Sequence, residues 1–339
     1  MSGLPDLGKR LFINGEGELR SGWRALVFFI LYVIAASLLG GALRVLTILA
    51  PPLGFPLSQT PAPGERLTSR ELIYLGSDQL INIAAALAAT AACARLLERR
   101  SLASVGYKPH RGWLRDFSLG SIVGAASLGL AVAVAAACGA VGFEINAHDG
   151  MHLTRGFVIL FFFFLVSGAF EELLFRGFAF QALTHNLGAA AAVLITSTLF
   201  GLAHLSNDNA SIFSTVNTIL AGVWLGVAYL MTRSLWFATA LHYSWNFVMV
   251  FVFGLPVSGI STLNHLAWLR GHDLPPGWIS GGDYGPEGGA ATTLVLILST
   301  LLIWKGGLLK PSEEMLAAIR HGNAESRPEI VAVDKEAGA

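Results

Sequence analysis

The chain has 339 residues, of which 54% are hydrophobic and only 13% are charged, and its formal net charge at pH 7 is zero. Soluble domains carry roughly 25% charged residues, so this composition excludes an ordinary soluble domain and favours a membrane protein. The neutral balance gives no reason to expect a nucleic-acid partner. The repeated long apolar runs predict an all-α fold, a polytopic bundle of about eight transmembrane helices embedded in a lipid bilayer.

The N-terminal part of the chain contains three of these apolar runs. They cover about 24–49, 71–96 and 117–142, and each is long enough to cross a hydrocarbon core of about 30 Å. Five prolines in residues 51–69 predict a connection without helix. The predicted units are a cytoplasmic N-terminal segment, 1–23, and the N-terminal transmembrane helices, 24–150.

The fourth run carries several charged residues. It begins near Gly156 and continues as a partly polar helix to about His185, where Asn186-Leu187-Gly188 resembles a helix stop. The later runs are predicted to be shorter and separated by polar turns. They cover about 189–205, 212–231, 235–254 and 291–309.

The C-terminal part divides into four predicted units. A catalytic core is expected over 155–255, followed by an outer loop rich in Gly and Pro over 256–290, whose role the sequence does not indicate. The last transmembrane helix is expected over 291–310. The charged tail 311–339, which is low in aromatic residues, is predicted to be cytoplasmic and to become disordered after a short surface helix.

The distribution of basic residues predicts the orientation in the membrane. Lys and Arg concentrate in the segment before the first run and in the loop 97–114 after the second. Cytoplasmic loops carry such an excess, so both regions are expected on the cytoplasmic side. Eight spans then place both termini in the cytoplasm. We therefore predict a multi-pass protein of the inner membrane of a prokaryote, without a cleavable signal peptide.

The two cysteines, Cys93 and Cys138, lie inside apolar runs and are far from a Cys-x-x-Cys spacing. They are interpreted as small core residues rather than as a redox pair or metal ligands. Of the nine histidines, only His204 and His242 lie within predicted spans. The other seven are expected on the solvated surface.

The charged stretch at the end of the fourth run is the most informative feature of the sequence. Glu171, Glu172 and Arg176 follow some fifteen mostly apolar residues. An ionised group near the bilayer centre costs ~3 kcal/mol or more, so such groups point into the protein and are functional candidates. Glu172 and Arg176 are four residues apart in the order that favours a helical ion pair. Glu171 is turned by about 100° from Glu172 and stays available for another task.

Polar side chains in two further spans reach a similar depth. Glu171 lies roughly 22 Å below Gly156, and His242 lies roughly 10 Å from the opposite end of its span. Asn246 is one turn after His242 and shares its face. His204 matches this depth only if the polar stretch 206–211 also lies within the membrane, where irregular backbone is tolerated when it lines a water-filled cavity.

These six residues leave more than one function open. They could form a hydrolytic site, or the ion pair and the histidines could simply lock helices together. A non-catalytic membrane scaffold or immunity protein, or less plausibly an ion-coupled transporter, would use the same residue types. No internal repeat of the kind found in many transporters is visible in the sequence.

The order of the motifs resembles the CPBP family of intramembrane proteases, which comprises type II CAAX prenyl endopeptidases and bacteriocin-processing or immunity-type homologues. The matching residues are Glu-Glu-x-x-x-Arg at Glu171 to Arg176, Phe-x-x-x-His at Phe200 to His204, and His-x-x-x-Asn at His242 to Asn246. The resemblance covers about residues 155–255.

The resemblance implies an endopeptidase that cleaves a membrane-accessible peptide or protein, prenylated or not. It implies that Glu171 activates a water molecule with help from His204, and that His242 and Asn246 stabilise the oxyanion. Glu172 and Arg176 would orient and neutralise the site. Phe200 and Trp245, which stand beside these positions, are expected to shield the site and to form its wall rather than to act in catalysis.

A metal ion is an open question at this stage. Glu171, His204 and His242 could hold a zinc ion with one position left for water. No His-Glu-x-x-His motif is present, however. The family is often called a metalloprotease family, and a metal-free glutamate mechanism is also argued for it.

Overall fold

The computed structural model describes residues 11–15, 17–49, 69–307 and 309–317. Residues 51–68 of the predicted helix-free connection and most of the predicted tail lie outside the described residues. Within the described residues the fold is a bundle of α-helices with one small two-stranded sheet, and the all-α prediction is confirmed. The helices are α1 Ser21–Leu49, α2 Ser69–Glu98, α3 Trp113–Ala137, α4 Gly150–Arg176, α5 Phe178–Leu187, α6 Ala189–Ala203, α7 Ile212–Thr232, α8 Leu235–Phe247, α9 Gly277–Ser280 and α10 Ala290–Lys305.

The helices agree with a multi-pass membrane protein. Within the described ranges, six helical segments are long and apolar enough to cross a membrane. One of these segments combines α4 and α5, and another is α8 extended by a π-helical turn over Val248–Val252. The predicted spans at about 189–205 and 291–309 correspond to the shorter apolar helices α6 and α10.

The fourth predicted helix is broken, which corrects the expectation of one continuous helix to His185. Gly177 has φ −77° and ψ −126°, which leaves the helical region. A Cβ atom at this position would lie 2.2 Å from the carbonyl oxygen of Leu173, so the bend requires glycine. The chain then starts α5 in a new direction. The predicted stop is confirmed, because α5 ends at Leu187 and Gly188 takes a positive φ of 85°.

The third predicted helix ends earlier than its apolar run. α3 stops at Ala137, Gly139 turns with φ 74°, and residues Val141–Ile145 form strand β1. β1 pairs antiparallel with β2, Leu269–Asp273, so that Val141 faces Asp273. Part of the predicted outer loop is therefore a sheet that ties the end of α3 to the segment after α8.

Two minor expectations are wrong. Cys138 lies at the end of α3 and is exposed, whereas Cys93 is buried as predicted. His110 is buried instead of solvated, and its Nε2 atom lies 3.2 Å from Asp116. Both residues flank α3, since His110 precedes its start at Trp113 and Cys138 follows its end at Ala137.

Helix α8 occupies the centre of the bundle and packs against α3, α4 and α7. The α3–α8 contact is close because α3 presents glycines to the backbone of α8. A Cβ atom on Gly120 would lie 2.5 Å from the carbonyl oxygen of Phe237, and one on Gly124 would lie 2.2 Å from that of Leu241. Small residues of this kind let membrane helices approach closely. The contact fixes the position of His242, which follows Leu241.

Candidate active site

The end of α4 holds a buried ion pair. Glu172 and Arg176 both have side chains that are completely buried, and Arg176 Nη1 lies 3.1 Å from Glu172 Oε1. Arg176 Nη2 also donates to the carbonyl oxygen of Gly222 on α7, at 3.0 Å. Removing either charge would leave the other uncompensated in a dry interior, which is costly. The predicted i, i+4 pair is therefore present, and it attaches α4 to α7.

His242 on α8 is oriented by the same carboxylate. Its Nδ1 lies 2.9 Å from Glu172 Oε1. Because an ionised carboxylate only accepts hydrogen bonds, we assign the ring proton to Nδ1. The other ring nitrogen, Nε2, lies 3.9 Å from Glu171 Oε2. Glu172 thus determines which ring nitrogen His242 turns towards Glu171.

His204 reaches the same carboxylate oxygen from another helix. It follows the last residue of α6, and its Nδ1 lies 2.7 Å from the carbonyl oxygen of Phe200. A carbonyl oxygen only accepts, so Nδ1 again carries the proton. Nε2 of His204 lies 3.9 Å from Glu171 Oε2. Each histidine therefore presents its own Nε2 atom to the same oxygen atom, Glu171 Oε2.

Glu171 has one oxygen engaged and one without a protein partner. Oε1 accepts from the hydroxyl of Ser167 at 3.3 Å. Oε2 is buried and has no hydrogen-bond partner among the described residues. Asn246 contributes a buried Oδ1 that likewise has none. Such atoms are costly in a protein interior unless water or a ligand satisfies them.

All six predicted site residues therefore come together. Glu171, His204, His242 and Asn246 line one cavity of about 570 Å³. Glu172 and Arg176 lie behind these four residues. Glu172 contacts His242, and Arg176 donates to the backbone of α7.

Aromatic side chains form part of the cavity wall. Phe163, Phe164, Trp224 and Trp245 line it. The ring of Phe200 lies 4.7 Å from that of His204 and 4.7 Å from the Arg176 guanidinium carbon. Phe200 thus covers the charged groups and Trp245 forms part of the wall, as the sequence predicts. Such a wall excludes bulk water and strengthens the electrostatic interactions inside.

Several polar residues of the cavity were missed in the sequence. Asn217 donates to the carbonyl oxygens of Glu287 and Gly289, at 2.9 and 3.0 Å. A polar amide inside an apolar span is a signal that could have found Asn217. Gln79 on α2 is a polar amide of the same kind, and Asn207 and Asp208 belong to the polar stretch 206–211, which the sequence analysis already connects with a water-filled cavity. No comparable signal marks Tyr32, Thr218, Ser258, Glu287 and Thr292.

In the part of the chain that the structure describes, no group of three or more His, Cys, Asp and Glu side chains could hold a metal ion. We therefore derive no step through a metal. The zinc site at Glu171, His204 and His242 stays a prediction, which chelation tests.

A comparison with known protein families bears on this geometry. Residues 153–248 match the family described as Type II CAAX prenyl endopeptidase Rce1-like. This segment is similar to that family. The match includes all six predicted site residues and confirms the resemblance drawn from the motifs. Comparisons with curated proteins and with solved structures found no match.

Proposed function

We propose that the protein is an intramembrane endopeptidase that hydrolyses a peptide bond of a membrane-accessible peptide or protein. The observation that carries the proposal is the convergence at Glu171. Its unpartnered Oε2 faces Nε2 of His204 and Nε2 of His242, each at 3.9 Å. The Rce1-like match of this segment supports the same class of reaction.

The spacing suits a shared water molecule. A distance of 3.9 Å is too long for a direct hydrogen bond. A water molecule about 2.8 Å from Glu171 Oε2 and from Nε2 of His204 would donate one hydrogen to each of them. Such a water would be held beside a carboxylate that can take its proton.

The proposed reaction is a general-base hydrolysis. Glu171 takes a proton from the water while the water oxygen bonds to the scissile carbonyl carbon, and the C=O electron pair moves to oxygen. The tetrahedral intermediate then collapses and the C–N bond breaks. The proton held by Glu171 passes to the leaving nitrogen, so that a carboxylic acid and an amine result. His204 would orient the water through Nε2.

The developing oxyanion needs hydrogen-bond donors. Asn246 lies one turn after His242 on α8, and both line the cavity next to Glu171. We assign the Asn246 amide N–H to this task, and His242 joins it when Nε2 also carries a proton, because Glu172 accepts the proton on Nδ1. Donors in a site that excludes water contribute more than they do in water.

Glu172 and Arg176 are positioning residues in this scheme. Both are fully buried behind the cavity, and Glu172 holds His242 through Nδ1.

The basic loops support an orientation with both termini in the cytoplasm. We propose the inner membrane of a prokaryote as the location. The units proposed from the sequence remain 24–150 for the N-terminal helices and 155–255 for the catalytic core.

The test is cleavage of a quenched fluorescent apolar peptide by the purified protein in lipid nanodiscs. We expect Glu171→Ala and His204→Ala to lower the rate by about 100-fold or more, the usual contribution of acid–base groups. The matched control is His185→Ala, since His185 is exposed on α5 and lies outside the cavity.

The outcome separates the alternatives. Equal cleavage by wild type and Glu171→Ala would remove the proposed mechanism. No cleavage of any peptide by a folded wild type would favour a non-catalytic scaffold of the same fold. The assay repeated with a zinc chelator decides the metal question, because a rate that survives chelation excludes zinc dependence.

A further inference from the structure

The catalytic cavity has a second polar region, here called the loop-side end. It includes Asn207 and Asp208, which follow α6, Ser258 and Glu287 from the segment between α8 and α10, and Thr292 at the start of α10. The mechanism above uses none of these residues. Asn207 donates to the carbonyl oxygen of Ser258 at 3.0 Å, so the turn after α6 is hydrogen-bonded to the segment that follows α8.

Glu287 is held in one orientation at this end. Its Oε2 accepts from the Ser258 backbone N–H at 2.6 Å and from the Ser258 hydroxyl at 2.7 Å. Its own carbonyl oxygen accepts from Asn217 at 2.9 Å. Ser258 has φ 47°, an uncommon value for a residue with a side chain. A carboxylate fixed in this way is pre-organised to bind, since little side-chain freedom remains to be lost.

Glu287 is partly exposed and differs from the two buried acids of the described residues. Glu172 is paired with Arg176, and Glu98 is paired with both Arg24 and Arg100. Among the described residues, no Lys or Arg lies within ion-pair distance of Glu287, and no Lys or Arg lines the cavity.

The neighbouring Tyr284 adds no charge to this end of the cavity. Burial, and then the negative charge of Glu287, raise the pKa of its hydroxyl, so it stays neutral. An unbalanced carboxylate in a partly apolar cavity attracts a cation, because the attraction grows as the dielectric constant falls.

A second observation points to a ligand at the same end. Thr292 is 1% exposed and lines the cavity, yet its hydroxyl has no hydrogen-bond partner among the described residues. A buried hydroxyl without a partner costs free energy that a bound group can recover. An ammonium group has three donors, which is enough for a carboxylate and a hydroxyl oxygen at one site.

We propose that the loop-side end binds a positively charged group of the substrate, such as a lysine side chain. The protein would then prefer peptides that carry one basic residue near an otherwise apolar segment. Glu287 would be a specificity-determining residue and not a catalytic one. This inference rests on the proposed function, because it assumes that a peptide occupies the cavity.

The test uses apolar peptides that differ at one position, which carries lysine, norleucine or glutamate, and scans that position along the peptide. For wild type, lysine at one position should raise kcat/KM about tenfold over norleucine, and glutamate should lower it. Glu287→Gln keeps an oxygen for Ser258 and removes the charge, so the lysine-to-norleucine ratio should fall to about one.

Two controls keep the result interpretable. Glu144→Gln removes an exposed carboxylate on β1, outside the cavity, and should keep the wild-type ratio. Binding of labelled lysine and norleucine peptides to Glu171→Ala, measured by fluorescence anisotropy, tests the subsite without cleavage.

The outcomes distinguish the two proposals. A lysine preference that Glu287→Gln leaves unchanged, or no preference at any position, overturns the subsite. If wild type cleaves none of the peptides but Glu171→Ala still binds the lysine peptide more tightly than the norleucine peptide, the proposed protease function is overturned. The subsite proposal is then retained.

Discussion

Helices α1 and α8 differ in how deeply they are buried, and in a soluble protein the more apolar of the two would be the buried one. In the most apolar 18-residue window of α1 only 6% of the residues are buried, against 78% for the segment Leu235–Val252 that contains α8. Yet α1 is the more apolar of the two. The helix with more polar groups thus lies inside, and the helix with fewer lies outside.

The difference follows from the solvent. Lipid tails are as apolar as leucine, so an apolar helix gains little by moving inwards. Polar and charged side chains lose much in lipid and are satisfied only within the bundle. His242 and Asn246 are therefore interior because they are polar, whereas Leu38 on α1 is 69% exposed. The predictions below test this contrast, from the largest expected effect to the smallest.

The buried polar residues of α8 are expected to take part in catalysis. Asn246→Ala should lower kcat by about 100-fold or more with little change in KM, because an oxyanion donor acts mainly in the transition state. Steady-state kinetics on the same fluorescent peptide measures the two constants. Asn186→Ala, on the exposed end of α5, is the control. An Asn246→Ala enzyme with wild-type kcat would remove this residue from the mechanism.

The buried Glu172–Arg176 pair at the end of α4 should be needed as a unit. Arg176→Met leaves Glu172 without its cation and should lower the free energy of unfolding by about 3 kcal/mol or more. The double variant Glu172→Gln/Arg176→Met should recover much of this loss. Unfolding by SDS in mixed micelles measures both. Equal stability of Arg176→Met and wild type would contradict a fully buried pair.

The close α3–α8 contact predicts opposite effects for two glycines on α3. Gly124→Ala should lower the free energy of unfolding by about 1–3 kcal/mol, because the new methyl group meets the backbone of α8. Gly129→Ala should leave it unchanged or raise it by up to about 1 kcal/mol, because nothing lies within 4 Å of that position. Equal losses in both variants would mean that α3 does not pack as described.

The outer face of α1 should tolerate change. Leu38→Ala should alter the free energy of unfolding by less than about 0.5 kcal/mol, as surface substitutions usually do. Phe28→Ala, on the buried face of the same helix, should cost clearly more. A loss for Leu38→Ala as large as that for Phe28→Ala would show that a further protein surface covers this face.

The spans and the charged site were largely predictable. Long apolar runs mark helices, and Gly188 marks a helix end, because these depend on local composition and backbone geometry. The break at Gly177 was not predictable in the same way. A glycine inside an apolar run is also common within membrane helices, and only contacts decide whether the backbone bends there.

The strand pair β1–β2 and the loop-side end of the cavity were also missed. Val141 and Asp273 pair across segments that are far apart in the chain. Glu287 and Thr292 reach the cavity because α10 packs against α7. Neither contact has a periodic pattern in the sequence that would indicate it.

By itself, the sequence determined that the chain lies in a membrane and that its charged residues face inwards, since both follow from the transfer free energies of the side chains. It also placed Glu172 with Arg176 on one helical face, because 3.6 residues make a turn. Only the tertiary structure decided that His204 and His242 turn Nε2 towards the same oxygen of Glu171. Helical spacing orients side chains within one helix, whereas the packing of α4, α6 and α8 decides which faces meet.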